Sequence, residues 1–178
     1  MLSFERTGRR TRGLLGGLPL LALLSAAGGA DAATTTTSLM VSAVVDATCT
    51  VGASPLSFGN YRPGQGSVSA NTTLAVRCAR GTPFTVTLDA GTGGRTVTQR
   101  VMTFGAYQLQ YSLYTSAART TVWGDGTLSS ATVSGVGHGV SSGQAVVETV
   151  YGQVPDIVMN QDLAPGLYTD TVRVTVNY

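Results

Sequence analysis

Few residues in this chain have types and spacing that could do chemistry. Cys49 and Cys78 are the only cysteines and His138 is the only histidine. Two distant cysteines and one distant histidine lack the ligand spacing of a metal site. In an oxidising compartment the cysteines read as one disulfide, which would stabilise by roughly 3–4 kcal/mol for a loop of about 30 residues. Two free buried thiols are the alternative. Gly139-Val140-Ser141-Ser142-Gly143 has the G-x-S-x-G form of a nucleophile elbow. That elbow needs a following helix, a distant His and an acidic partner, whereas His138 adjoins it and Gly and Ser surround it. A flexible turn fits better. Asp125-Gly126 beside Trp123 offers a single carboxylate, too few for Ca2+, and reads as a tight turn. Asn71-Thr72-Thr73 has sequon form but is also ordinary strand sequence. No catalytic residue, metal ligand or cofactor is expected.

The elements that position these residues are strands. There are 26 Thr, 21 Val and 23 Gly, no Lys and only two Glu, Glu5 and Glu148. Such a composition disfavours helices and favours β structure. Apolar residues alternate in several segments, as half-buried strands require: Thr73–Cys78, Phe84–Leu88, Tyr107–Tyr114, Gln144–Val154 and Tyr168–Tyr178. In the last, Tyr168, Val172, Val174, Val176 and Tyr178 share one face, which Asp170 interrupts. Gly-rich breaks separate the segments, and short strands so spaced predict an all-β sandwich or barrel. Residues 33–45, ATTTTSLMVSAVV, are also strand sequence, with Leu39, Val41, Ala43 and Val45 on one face. They suit either a first strand of the same sandwich or a strand meant for another molecule.

Charge divides the chain. Arg6, Arg9, Arg10 and Arg12 precede the apolar run Leu14–Ala27, and Ala30-Asp31-Ala32 follows. This order is that of a secretory signal peptide at 1–32, and the run is too short for a spanning helix, so no permanent membrane insertion is expected. Beyond Ala32, seven Arg face seven acids, leaving no basic excess for nucleic acid.

An ordered set of stretches resembles the spore coat protein U domain, shared with subunits of Csu-type archaic chaperone–usher pili. They are Cys49-Thr50-Val51, Leu56-Ser57-Phe58-Gly59-Asn60-Tyr61, Val76-Arg77-Cys78 and the run Gly81–Asp89. Tyr111–Tyr114, Val122–Thr127, Tyr151–Pro155 and Gly166–Val172 complete it, over residues 39–178. The resemblance implies an incomplete immunoglobulin-like sandwich that lacks its last strand, with an N-terminal donor arm at 33–45. It implies three kinds of partner: a periplasmic chaperone, an outer-membrane usher, and identical or related subunits. Leu39, Val41 and Val45 would be the donor side chains. Val172, Val174, Val176 and Tyr178 would form the receiving strand, which nothing after it would cover. A Cys49–Cys78 bridge would tie the start of the first strand to the second. The implied function is a non-enzymatic subunit of a surface pilus or coat. The alternative is a secreted monomeric sandwich that binds carbohydrate or protein.

Overall fold

A computed structural model describes residues 32–178. The signal segment expected at 1–32 lies outside them except for Ala32. The chain divides after Ser42. Residues 32–42 are exposed and take no regular structure.

The second unit is a two-sheet sandwich. Its strands are β1 (Cys49–Ala53), β2 (Val68–Cys78), β3 (Pro83–Leu88), β4 (Arg100–Phe104), β5 (Tyr107–Tyr114), β6 (Val133–Val136), β7 (Val146–Val154) and β8 (Val174–Asn177). One sheet has the order β1-β2-β7-β5-β4 and the other β6-β3-β8. Every paired strand is antiparallel. Alternation decides which face is buried: Leu74, Val76 and Cys78 of β2, Phe84, Val86 and Leu88 of β3, and Leu109, Tyr111 and Leu113 of β5 all turn into the core.

Several elements differ from the sequence expectation. β2 extends back to Val68, and β7 starts at Val146 because Gln144 closes a 3-10 turn, Ser142–Gln144. Of the run 168–178 only Val174–Asn177 is laddered, because its partner β3 ends at Leu88. β4 and β6 were not expected. β6 is four residues long, and its Gly135 lies under the Phe84 ring, where a Cβ would come within 2.5 Å of the ring carbon Cζ.

β4 hides a charge. Arg100 is 0% exposed. Its guanidinium donates to four carbonyls: Asp89 (2.7 Å), Val97 (2.8 Å), Leu88 (3.1 Å) and Trp123 (3.0 Å). Burial lowers its pKa, but arginine keeps its proton in proteins, so the four dipoles hold the cation. Trp123, also fully buried, donates its indole N–H to the Val86 carbonyl at 3.1 Å. Arg100→Leu removes the donor and strands those carbonyls. The expected loss is about 3 kcal/mol or more, read from urea unfolding followed by Trp123 fluorescence.

Glu148 is the reverse case. It lies opposite Leu74 on the inward face of β7, and burial alone raises its pKa above 4.5. Its folded form therefore holds a proton more tightly than its unfolded form, and stability is lost as pH rises through the raised value. Glu148→Gln should raise the melting temperature at neutral pH. The gain should shrink to nothing as pH falls below the ordinary carboxylate range.

Candidate functional site: an uncovered groove beside the last strand

Among the described residues β8 has a partner on one side only. The Asp89 N–H donates to the Arg173 carbonyl (3.1 Å), and the Arg173 N–H to the Asp89 carboxylate (2.8 Å). Arg173 thus turns its backbone toward β3. Backbone groups alternate along a strand, so those of Val172, Val174 and Val176 turn the other way, to a side where no strand pairs with them among the described residues. β1 shows the same vacancy from the opposite sheet. Val51 sits opposite fully buried Val76 on the inner face, yet it is 37% exposed, and Ala53 is exposed as well.

A groove of about 1180 Å3 begins at Ala53, the end of β1, and at Val174, the start of β8. Leu74, Leu88, Leu109, Leu113, Val150 and Val154 lie along its floor. One wall is the stretch from Leu163 to Val174, with Val172 and Val174 inward. The other is 53–63, in which Leu56, Phe58 and Tyr61 are half-buried while Pro55, Ser57 and Gly59 are exposed.

The second wall has no ladder beyond Ser54, whose N–H donates to the Thr73 carbonyl at 3.1 Å. It is held by packing and by one carboxylate. Leu56 and Phe58 rest on Gly152 of β7, where a Cβ would come within 2.7 Å of Leu56 Cδ2 and 2.8 Å of the Phe58 ring. Phe58 also meets Tyr111, ring centroids 6.0 Å apart. The Asp156 carboxylate accepts from the Tyr61 hydroxyl (3.1 Å) and the N–H groups of Gly64 (3.0 Å) and Gly66 (2.9 Å). The Gly66 and Gly64 donors hold Asp156 below the usual carboxylate range. Burial, then the bond to Asp156, pushes the Tyr61 phenol up to about 12.

The first wall is held at both ends. The Phe104 ring covers Gly166, where a Cβ would come within 2.4 Å of it, and packs 5.6 Å from Tyr168. Thr103 and Thr169 exchange backbone hydrogen bonds of 2.9 and 3.2 Å. Asp170 accepts from the Tyr111 hydroxyl at 2.6 Å. Burial and that bond raise the Tyr111 pKa and keep the phenol protonated.

Cys49 and Cys78 form the disulfide, with Cα atoms 4.1 Å apart at the paired ends of β1 and β2. Val172 and Val174 come together in the groove wall. Val176 is half-buried opposite Val86 and outside the groove lining, and Tyr178, beyond β8, is 62% exposed. Leu39, Val41 and Val45 are exposed and lie outside every strand among the described residues. The G-x-S-x-G segment is the short 3-10 turn after exposed His138. Asp125 closes a turn by accepting from the Thr127 N–H and hydroxyl (2.9 and 2.6 Å). Asn71 is an exposed strand residue of β2. Among the described residues no group of three His, Cys, Asp or Glu is placed to hold a metal, and no helix is long and apolar enough to cross a membrane.

The site has a second wall that sequence reasoning did not assign. Its local signals are the alternation of Leu56 and Phe58 with Ser57 and Gly59 and the place of Leu56–Tyr61 among the stretches that carry the family resemblance.

Two sheets, one disulfide and an uncovered edge beside β8 define an incomplete, pilin-type immunoglobulin-like sandwich. The family model for the Spore Coat Protein U domain matches residues 35–175, and the chain belongs to that family. No curated protein matches the sequence. Among solved structures it is similar to a chain of the CsuC–CsuE chaperone–tip adhesion subunit pre-assembly complex, from archaic chaperone–usher Csu pili of Acinetobacter baumannii. The TM-score is 0.52 at 20% identity, over 75% of this chain and 40% of the other. The chain therefore spans about two fifths of that neighbour.

Gly152→Val would drive Leu56 and Phe58 off β7. We expect a loss of about 1–3 kcal/mol from overpacking, with raised amide exchange over 56–61 and little change in β3.

Proposed function

We propose that this protein is a structural subunit that polymerises by donor-strand exchange into a surface fibre of the chaperone–usher kind. The observation that carries the reading is the unpaired backbone of Val172 and Val174 beside an apolar groove. An exposed edge of this sort templates pairing with another chain, and adding a strand to it is a recurrent recognition mode.

The arm 33–45 has the properties of the missing strand. Its residues span roughly 40 Å when extended, enough to follow either wall. Leu39, Val41 and Val45 lie on one face, and burying each contributes about 1.5–3 kcal/mol, alongside new main-chain hydrogen bonds to β8. Val172 and Val174 would receive it, with Val176 and Tyr178 prolonging the strand. Head-to-tail exchange of identical elements gives an open filament. A periplasmic chaperone would hold the groove first and an outer-membrane usher would catalyse the exchange, after export directed by residues 1–32. The likeness to a subunit from a chaperone pre-assembly complex supports these partners. Adhesion or biofilm formation would then be a property of the fibre, and the subunit itself would make no covalent bond.

The exported chain should form ladders that resist mild SDS, and deleting residues 33–44 should abolish them while leaving the disulfide intact. A dispersed, stable monomer would favour the monomeric binding module instead. Continued fibre growth by the deletion variant would remove the arm from the mechanism.

A further inference from the structure

We infer that Asp170 is a positioning residue for the receiving strand, completing with Asp89 the ladder that β3 abandons. This rests on the groove being a strand acceptor. β3 ends at Leu88, and the chain turns away through Gly91, whose φ is +79°. The alternating run of the receiving strand begins further up, at Tyr168. Between Tyr168 and Arg173 it would have no β3 on one side and no donor on the other.

Carboxylates occupy the vacant β3 side. Asp170 Oδ1 accepts from the N–H groups of Thr92 (2.7 Å), Gly93 (3.2 Å) and Thr171 (2.7 Å), and from the Thr92 hydroxyl (2.8 Å). The Thr171 N–H also reaches Thr92 Oγ1 at 3.3 Å. Asp170 Oδ2 takes the Tyr111 hydroxyl from β5, in the facing sheet. Three residues on, Asp89 Oδ1 takes the Arg173 N–H and, within its own loop, the Gly91 N–H at 2.9 Å. Thr169, Thr171 and Arg173 are thus bonded away from the groove, to β4, to the 89–93 loop and to Asp89. Val172 and Val174 are left to face it.

A strand fixed along one edge presents its other edge without first having to be ordered, and pre-organisation of this kind lowers the cost of binding. The side chain itself is saturated. Asp170 breaks the apolar face of the run, yet its oxygens have no need of a donor-strand partner. Its work is directed at the strand that carries it.

The discriminating variant is Asp170→Val, which makes the receiving face wholly apolar and raises strand propensity. If groove hydrophobicity alone governs uptake, this variant polymerises as fast as the parent or faster. If Asp170 positions the strand, ladder formation by the full exported chain slows about tenfold, from lost hydrogen bonds to a charged group. Amide exchange at Val172 and Val174 rises in the unpolymerised chain, while completed fibres keep the parent's resistance to SDS. Asp170→Asn retains an oxygen for Thr92 and Gly93 and should recover most of the rate. Should Asp170→Val fail to fold, as judged by loss of the Trp123 near-UV signal, Tyr111→Phe serves in its place. It removes one bond and should slow uptake by a smaller factor. Unchanged rates in Asp170→Val or, where that fails, in Tyr111→Phe, with a parent that polymerises, overturn the assignment of Asp170 alone. A parent that never polymerises overturns the strand-acceptor reading, and this assignment with it.

Discussion

An unpaired strand edge over an uncovered core is the constraint on which the rest of this structure depends. Backbone N–H and C=O groups must be paired or hydrated, and a row of them beside apolar side chains is an aggregation hazard. Val172 and Val174 combine both conditions. The fold therefore has to be stable without the strand that would close it, and must keep its walls apart. The Cys49–Cys78 bridge closes a loop with a sequence separation of 29, and Trp123 and Arg100 lock β3 to the facing elements with bonds to Val86, Leu88 and Asp89.

Charge is used unusually in this arrangement. Asp89, Asp125, Asp156 and Asp170 spend their oxygens on backbone N–H groups and hydroxyls, and Arg100 spends its donors on carbonyls. Each stands in for a missing piece of secondary structure. Asp156 holds the unladdered wall at Tyr61, Gly64 and Gly66, and Asp170 holds the opposite wall where β3 has stopped. Asn160 does the same without charge. Its Oδ1 accepts from the Gln110 N–H (2.8 Å) and its Nδ2 donates to the Gln110 carbonyl (3.0 Å), imitating a strand partner beside β5.

Much of the sandwich was legible because its strands bury one face only. Phe84, Val86 and Leu88, like Leu109, Tyr111 and Leu113, alternate cleanly, and the pairing of the only two cysteines needed no choice among partners. β4 escaped because a core position is filled by Arg100, which no hydrophobic pattern marks. β6 escaped because Gly135 contributes no side chain to the pattern. The C-terminal run was legible as alternation but not as a ladder: Val172, Val174 and Val176 turn inward, while the length of β8 is set by where β3 ends. The groove's other wall was the least visible. Leu56 and Phe58 alternate over too few residues to announce a strand. The carboxylate staples join residues remote in sequence, Gly64 to Asp156 across 92 positions and Thr92 to Asp170 across 78.

The two walls also differ in how firmly they are held, and that asymmetry has a consequence for how a strand would enter. The receiving wall is bonded at Thr169, Thr171 and Arg173, and β8 continues its support to Asn177. The facing wall depends on side chains resting on Gly152 and on one exposed carboxylate. Local opening begins where buried contacts are few and backbone bonds are exposed. A strand entering this groove would therefore meet one fixed edge and one yielding wall. Register would be set against the fixed edge, and width would be adjusted by Leu56, Phe58 and Tyr61. A groove rigid on both sides would admit only a strand already shaped to fit. A groove loose on both would collapse onto its apolar floor before any strand arrived.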